Sequence, residues 1–341
     1  MTVDTSTGSP VPYGALALTS EEVLLFAACR SLPVPSGIPP ELTELTDVDQ
    51  GSGRFEVAAR ALVTRGVTPE AVEGFVGIPE NEAMLLVACE PQARVVCAVG
   101  RLGAITIREV NLAGDKAVGH SWNRMGLHAL YAMPLDSVAA EIASATMLSP
   151  GEDPEPAGEP VTITLDRDVL LATLTRGAVT GATLAAAQEL GRDSSSAPAP
   201  PADDEPARGA DEESIRGGDA TAAEPVVREA LERAGADTSF APLLASALAG
   251  LTRSGLVRVV RLNGEESESK TFSWLDAIEA GTWRLDGAEL DLASSEVSPG
   301  EGGTTVSLTR VAPSSLLREI DEAWSEVAAI LATAGAATVA K

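Results

Sequence analysis

The chain has 341 residues, of which 45% are hydrophobic and 3% aromatic, and its formal net charge is −26. This length and apolar content allow a sizeable, mostly aliphatic core and exclude a chain that is disordered throughout. The acidic charge argues against nucleic acids and anionic membranes as partners, because both attract cationic surfaces.

The cysteines and the N-terminal residues indicate the cellular compartment of the protein. Cys29, Cys89 and Cys97 form no C-x-x-C pair, which argues against a disulfide framework and a zinc site, so we expect buried thiols. The N-terminus lacks the basic and apolar segments of a signal peptide, and no apolar run approaches the length of a membrane span. The sequence therefore predicts a cytoplasmic protein, and it contains no nucleotide-binding glycine motif or other sign of a cofactor.

The first half predicts helices followed by strands. Thr19 and Glu22 form the capping box of a first helix, and residues 54–66 predict a second helix with Gly66 at its C-terminal end. Short apolar runs then predict the strands of an antiparallel meander: 83–90, 94–103, 104–111 and 126–133. A further helix follows, with Asp136 or Ser137 as its cap.

The composition and the hydrophobic pattern change in the middle of the chain. Residues 161–174 predict a strand that leads into a helix capped by Asp166. Residues 193–224 have no aliphatic periodicity and are rich in proline, alanine, serine and carboxylates. Such a stretch cannot bury enough apolar area to offset the entropy of ordering, so it predicts a disordered acidic insert.

The second half repeats the order of the first. Two helices, ending near Gly235 and Gly255, precede five predicted strands: 256–264, 270–277, 281–287, 288–297 and 304–311. Asn-Gly at 263–264 and Asp-Gly at 286–287 are typical hairpin turns. A terminal helix carries apolar residues at helical spacing, at positions 316, 317, 320, 324, 327 and 330.

Residues 126–142 resemble residues 304–320, and each segment closes one half. We therefore predict an α+β fold with two quasi-symmetric halves that share a central antiparallel sheet flanked by helices, although any strand-turn-helix unit would look similar. The predicted divisions are a flexible N-terminus (1–14), an N-terminal α+β half (15–150), a strand-helix connection (151–192), the acidic insert (193–224) and a C-terminal α+β half (225–335).

The segment 119–126 raises the question of a serine nucleophile, because it begins like the G-x-S-x-G elbow of hydrolases. Asn123 stands where that elbow needs glycine, and a turn precedes Ser121 where a buried strand is needed. The chain has two histidines, His120 and His128, and neither lies well downstream of the serine. The segment is therefore predicted to be a loop without catalytic or metal-binding residues, and both histidines to be ordinary surface or core residues.

Few histidines and few aromatic residues favour a binding protein over an enzyme. Two alternatives stay open at this point. One is a hydrolase that uses carboxylates in a cleft between the two halves, since carboxylates are plentiful. The other is a generic protein-binding scaffold.

One cluster resembles a known family. Trp274-Leu275-Asp276, Gly281 and Trp283-Arg284 are similar to the pattern W-L-D-T-x-x-G-R-[YW] of the EspG family, cytosolic chaperones of type VII (ESX) secretion systems. The arginine and the aromatic residue are in reverse order here, and the turn is longer. The opening helix with its proline-rich loop and the strand-helix at 160–174 also resemble the family, so the likeness extends over 18–330 apart from the insert.

This resemblance implies two quasi-symmetric α+β halves over one antiparallel sheet. It also implies a non-catalytic cytosolic chaperone that binds helical secretion substrates of the PE/PPE or WXG kind and keeps their apolar tips soluble for export. The residues expected to contact the partner are in the aromatic strands and the terminal helix: Phe272, Trp274, Trp283, Leu316, Ile320 and Trp324. The alternative is that these residues belong to the core.

Overall fold

The computed structural model describes fourteen stretches of the chain, namely residues 14–43, 53–68, 78–101, 104–123, 125–148, 161–166, 220–233, 237–249, 251–263, 266–277, 281–286, 288–291, 296–299 and 305–339. Its helices are α1 (Ser20–Cys29), α2 (Pro40–Thr43), α3 (Gly53–Thr64), α4 (Pro79–Cys89), α5 (Val138–Thr146), α6 (Ala220–Arg233), α7 (Ala241–Ala249) and α8 (Pro313–Val339). Its strands are β1 (Leu16–Thr19), β2 (Ala93–Arg101), β3 (Ala104–Ala113), β4 (Lys116–Trp122), β5 (Leu127–Met133), β6 (Thr162–Asp166), β7 (Leu251–Asn263), β8 (Glu266–Ala277), β9 (Gly281–Asp286), β10 (Ala288–Asp291), β11 (Glu296–Pro299) and β12 (Thr305–Val311).

Ten strands form one antiparallel sheet in the order β1-β5-β4-β3-β2-β7-β8-β9-β12-β6. The order has a centre of symmetry between β2 and β7, where Cys97 lies opposite Val257. On either side of this centre, β3 corresponds to β8, β4 to β9, β5 to β12 and β1 to β6. The predicted α+β fold with two quasi-symmetric halves over a shared antiparallel sheet is confirmed.

The helices α5 and α8 repeat the same packing in the two halves. Each follows the strand that closes its half, and each buries matching residues against the sheet: Val138 with Leu316, Ile142 with Ile320, and Ala145 with Ala323. Glu141 and Glu319 also match, and each accepts a hydrogen bond from an arginine of the sheet, Arg108 or Arg284. The similarity of 126–142 to 304–320 thus marks equivalent positions in the fold.

The sheet separates three hydrophobic clusters. On its first face, α5 and α8 cover the centre, where they pack on β2, β3, β7 and β8. On its second face, α1, α3 and α4 cover the end of the first half, and α6 and α7 cover the end of the second half. Neighbouring residues of one strand serve different clusters, as Trp274 and Leu275 do, because side chains alternate across a sheet.

Capping residues in the sequence predicted the first helices correctly. Thr19 and Glu22 form the predicted capping box of α1 through reciprocal hydrogen bonds between side chain and backbone. Gly66 follows α3 with a φ of +73°, a left-handed conformation that glycine adopts without strain. The helix α5 also forms as predicted, but neither Asp136 nor Ser137 caps it through a side chain, because a 3-10 turn leads into it.

The predicted strand at 83–90 is wrong, since residues 83–89 lie in α4. Pro79 at the first turn, with Glu80 and Glu82 beside it, begins the helix in the favoured way. The apolar run that follows is buried between α1 and the sheet. A short apolar run does not distinguish a buried helix from a strand, and in this case the signals at the N-terminus of the helix decide.

The predicted loop at 119–126 is also wrong in its first part. Residues up to Trp122 belong to β4, which pairs with β3 on one side and with β5 on the other. Val118, Gly119 and His120 are buried, so this polar-looking segment forms an inner strand. The connection to β5 is limited to residues 123–126.

Several boundaries in the second half differ from the predictions. The second helix of this half ends at Ala249, and β7 begins at Leu251, before the predicted end near Gly255. The strand β10 pairs with β11 and not with β9, so Asp-Gly at 286–287 does not close a hairpin. The helix α6 begins at Ala220, inside the predicted insert. The N-terminus before Gly14, the helix predicted after Asp166 and the insert up to residue 219 lie outside the described residues.

One glycine of the central strands makes room for an aromatic ring. Gly255 of β7 lies directly opposite Trp274 of β8, and a Cβ at position 255 would overlap the indole ring. Trp274 is 1% exposed and belongs to the cluster beneath α5 and α8. Glycine at this position therefore allows the tryptophan to lie against the backbone of its neighbouring strand.

We expect Gly255→Ala to lower the free energy of unfolding by about 1–3 kcal/mol, because the added methyl group displaces the buried indole ring. Urea unfolding followed by tryptophan fluorescence measures the change. Gly53→Ala is the matched control, since a Cβ there meets nothing within 4 Å. Equal stability of the two variants would contradict the close contact.

Candidate functional site

Ser121 lies on β4 between Arg108 of β3 and Ala129 of β5. Its neighbour His120 is on the opposite face of the sheet, because successive side chains of a strand point to opposite faces. His120 therefore cannot act as a base for Ser121, which agrees with the rejection of Ser121 as a nucleophile. The histidines instead meet a different serine.

Four side chains from four elements form a buried polar chain, which we call the histidine chain: Ser20, His128, His120 and Glu109. Oγ of Ser20, at the start of α1, lies 2.9 Å from Nε2 of His128 on β5. Nδ1 of His128 lies 2.9 Å from Nε2 of His120 on β4. Nδ1 of His120 lies 3.6 Å from Oε2 of Glu109 on β3, which is a charge contact longer than a hydrogen bond.

The antiparallel register brings these residues together. His120 lies directly opposite Glu109, and Trp122 lies directly opposite His128. The two imidazole rings stack with centroids 5.2 Å apart, and the Trp122 ring packs against His120 at 4.9 Å. All four members of the chain are at most 3% exposed. The histidine chain is therefore buried by its own neighbours.

Arg94 of β2 connects the histidine chain to the loop that follows α1. Its guanidinium donates to Oδ1 of Asn111 at 3.1 Å and to Oγ of Ser36 at 3.0 Å. Its Nε lies 3.8 Å from the same Oε2 of Glu109 that faces His120. Glu109 thus lies between a guanidinium and an imidazole.

These contacts shift two ionisation equilibria. Burial by itself would raise the pKa of Glu109, but its contact with His120 and the charge of Arg94 outweigh burial and hold that pKa below its usual value. Burial lowers the pKa of His128 to about 4, and the charge of His120 adds to this effect. Glu109 is therefore ionised and His128 neutral at neutral pH.

A hydroxyl, two imidazoles and a carboxylate in series resemble the relay of serine hydrolases. Ser20 is 1% exposed, however, and its Oγ also lies 3.2 Å from the carbonyl oxygen of Gly126. No substrate carbonyl can approach an oxygen enclosed in this way. The chain instead attaches α1 and the β4-β5 turn to the sheet.

Sequence reasoning missed this site because it considered each histidine by itself. A usable signal was the spacing of eight residues between His120 and His128 across the turn at 123–126. In an antiparallel hairpin, an even spacing across a short turn can place both residues on one face. The involvement of Ser20 and Glu109 has no local signal.

All six residues predicted to contact a partner are buried. Phe272, Trp274, Leu316, Ile320 and Trp324 share the cluster on the first face, whereas Trp283 lies in the cluster beneath α6 and α7. None is more than 6% exposed. This matches the alternative that they are core residues, and contact between a partner and the exposed residues of the same elements stays a prediction.

Large apolar residues are exposed at a few separate places. Met125 and Leu127 at the β4-β5 turn are 81% and 50% exposed, Val57 of α3 is 66% exposed, and Ile330 of α8 is 41% exposed. Ile330 belongs to the terminal helix that the sequence assigned to partner binding. Ile330 is therefore the large apolar residue of α8 that a partner could contact.

Within the described stretches, no group of three His, Cys, Asp or Glu side chains is placed to hold a metal ion. Cys89 and Cys97 are buried, whereas Cys29 is exposed, contrary to the expectation of buried thiols, and none of the three is in a disulfide. Among these same stretches, no helix combines the length and the apolar character that crossing a membrane requires.

No protein-family model matches this chain, and no curated protein matches it. Among solved structures, it is similar to the Mycobacterium tuberculosis type VII secretion system chaperone EspG5, solved in complex with a PE25-PPE41 dimer. The alignment covers 89% of this chain and 93% of that chain, with 11% sequence identity and a TM-score of 0.46. Neither membership of a family nor a function follows from a likeness of this size.

We expect the protein to lose stability as the pH falls from 6.5 towards 4, because His128 then binds a proton in the unfolded chain but not in the folded protein. Above the unfolded pKa of 6.5, protonation of His128 does not reduce the free energy of unfolding. As the pH falls from 6.5 to about 4, the free energy of unfolding decreases by about 3 kcal/mol in total. Urea unfolding at a series of pH values measures this dependence. His128→Asn should show a shallower loss between the same pH values, and an equal loss would contradict the role of His128.

Proposed function

We propose that this protein is a non-catalytic cytoplasmic chaperone of the EspG kind. It binds a helical type VII secretion substrate, of the PE/PPE or WXG type, and keeps that substrate soluble for export. The proposal rests on the sequence resemblance over residues 18–330, apart from the acidic insert, and on the architecture of the sheet.

The observation that carries the proposal is the strand order. The sequence resemblance implies two α+β halves over one antiparallel sheet, and the ten strands have this arrangement about the β2-β7 pair. One fold serves many functions, so the architecture supports the proposal without identifying the partner.

A chaperone of this kind has a simple physical task. An apolar helical tip exposed to water would self-associate, and a partner that covers it reversibly prevents this. Charged residues around the contact would then select the correct substrate. The outer surface of α8 offers such a combination, because Ile330 is exposed on the same helix as several exposed charged residues: Arg318, Asp321, Glu322 and Glu326.

The hydrolase alternative receives no support from the buried carboxylate of the histidine chain. A general acid needs a raised pKa, whereas the pKa of Glu109 is lowered. The serine of the same chain is enclosed. The competing proposal is a generic protein-binding scaffold without a secretion role, and an experiment has to distinguish it from the chaperone.

The test is affinity purification of the tagged protein from its own cytosol, with the bound chains identified by mass spectrometry. We expect a small helical protein of the PE, PPE or WXG type at near-equal stoichiometry. A protein that purifies without such a partner, or with unrelated proteins in trace amounts, would contradict the chaperone function.

The same experiment tests the surface of α8. Ile330→Asp should reduce recovery of the partner by about tenfold or more, because it places a charge at an apolar contact. Val57→Asp is the matched control, since Val57 is more exposed and lies on α3. If both variants recover the partner equally, the contact lies elsewhere on the protein.

A further inference from the structure

The hydrogen bonds of the histidine chain can run in either direction, because an acceptor is present at each end. At one end, the carboxylate of Glu109 faces Nδ1 of His120 at 3.6 Å. At the other end, Oγ of Ser20 lies 2.9 Å from Nε2 of His128 and 3.2 Å from the carbonyl oxygen of Gly126. A hydroxyl donates one hydrogen, so Ser20 serves one of these two acceptors at a time.

With both histidines neutral, Glu109 sets the direction. Its negative charge, 3.6 Å from Nδ1 of His120, favours a hydrogen on that nitrogen, and Nε2 of His120 then accepts from Nδ1–H of His128. Nε2 of His128 then accepts from the hydroxyl of Ser20. In this arrangement the Ser20–His128 and His128–His120 contacts each join one donor to one acceptor, Nδ1 of His120 faces the carboxylate of Glu109 without a hydrogen bond, and neither histidine is charged.

One added proton reverses these bonds without losing any of them. When His120 carries hydrogens on both nitrogens, its Nε2–H donates to Nδ1 of His128. Nε2–H of His128 then donates to Oγ of Ser20, and the Ser20 hydroxyl turns to the carbonyl oxygen of Gly126. The proton comes from solvent, and the positive charge lies beside the carboxylate of Glu109.

We propose that the histidine chain is a one-proton switch. Uptake of one proton places the charge on His120, changes His128 from the Nδ1–H to the Nε2–H tautomer, and moves the Ser20 hydroxyl from His128 to Gly126. The lowered pKa of His128 agrees with this assignment, because it keeps His128 neutral while His120 is charged.

The proton affects the attachment of the β4-β5 turn. The backbone N–H of Ser20 already donates to the carbonyl oxygen of Gly126 at 2.8 Å, and the protonated arrangement adds the hydroxyl to the same oxygen. Asn123 orders the remainder of this turn by accepting from the backbone N–H groups of Met125 and Leu127. The switch therefore strengthens the connection between α1 and a turn that carries exposed apolar residues.

Other ionisable groups lie on the elements packed around the histidine chain: Arg94 of β2, Glu22 of α1 with its ion-pair partner Arg65 of α3, and Cys89 of α4. Arg94 opposes a positive charge on His120, whereas Glu109 favours it. Glu22 is already paired with Arg65 at 2.7 Å. Glu109 is therefore the group that decides where the proton is held.

NMR spectroscopy of the ¹⁵N-labelled full chain tests the switch directly, because its two histidines give two sets of imidazole signals. The titration starts at about pH 8 and continues to lower pH for as long as the protein stays folded. We expect both rings to be Nδ1–H tautomers at the start. In one step, His120 should become doubly protonated while neutral His128 changes to the Nε2–H tautomer. The proposal is overturned if His128 keeps one tautomer throughout or becomes charged before His120.

Two variants sharpen the result. Glu109→Gln removes the carboxylate that holds the charge, so the proton affinity of His120 should fall by about tenfold or more. Ser121→Ala, beside His120 but on the opposite face of the sheet, should leave the titration unchanged. An unchanged proton affinity in Glu109→Gln would overturn the role of the carboxylate. If Glu109→Gln does not fold, the titration of the unaltered protein still decides between the outcomes.

Discussion

The pairing of β2 with β7 is the contact on which the architecture depends. Among the described strands, this pair alone joins the first half of the sheet to the second, through eight residues of each strand from Ala93 opposite Arg261 to Gly100 opposite Ser254. Every other strand pair of the large sheet lies within one half, from β1 to β2 on one side and from β7 to β6 on the other. The helices α5 and α8 cover this junction from one side and bury one continuous cluster over it. Loss of this pairing would therefore divide both the sheet and its main core.

The two halves use equivalent positions in different ways. In the second half, β9, β12 and β6 carry an apolar cluster around Trp283 beneath α6 and α7. In the first half, the corresponding strands β4 and β5 carry the histidine chain beneath α1. An apolar cluster tolerates small shifts, whereas a buried polar chain requires each donor to meet an acceptor. The side chains of the histidine chain are therefore held in more exact positions than those around Trp283. Only the histidine chain contains groups that can take up a proton in the proposed switch.

The aromatic residues hold the sheet and helices together. Trp274 fills the space left by Gly255, and Trp324 of α8 packs into the same cluster. Trp274, Trp283 and Trp324 are at most 5% exposed, so their rings are not available to contact a partner. For the proposed chaperone, recognition would therefore depend on exposed aliphatic and charged residues, of which Ile330 is one.

Features that depend on local chemistry could be predicted from the sequence alone. The capping box of α1, the left-handed Gly66, most strands of both meanders and the repeat that relates α5 to α8 can all be read along the chain. Each depends on residues close in sequence, or on a pattern that occurs twice. The outline of two halves over one antiparallel sheet follows from these features.

Features that depend on residues distant in sequence appear only in the folded structure. Residues 119–122, which were expected to be part of a loop, lie in the inner strand β4, because β3 and β5 pair with this strand on either side. The burial of Trp283 and Trp324 depends on the helices that cover them. The histidine chain exists because the register of three strands and the start of α1 bring Ser20 to a histidine 108 residues away. No sequence pattern predicts the contact between Ser20 and His128, since it depends on how the strands pair.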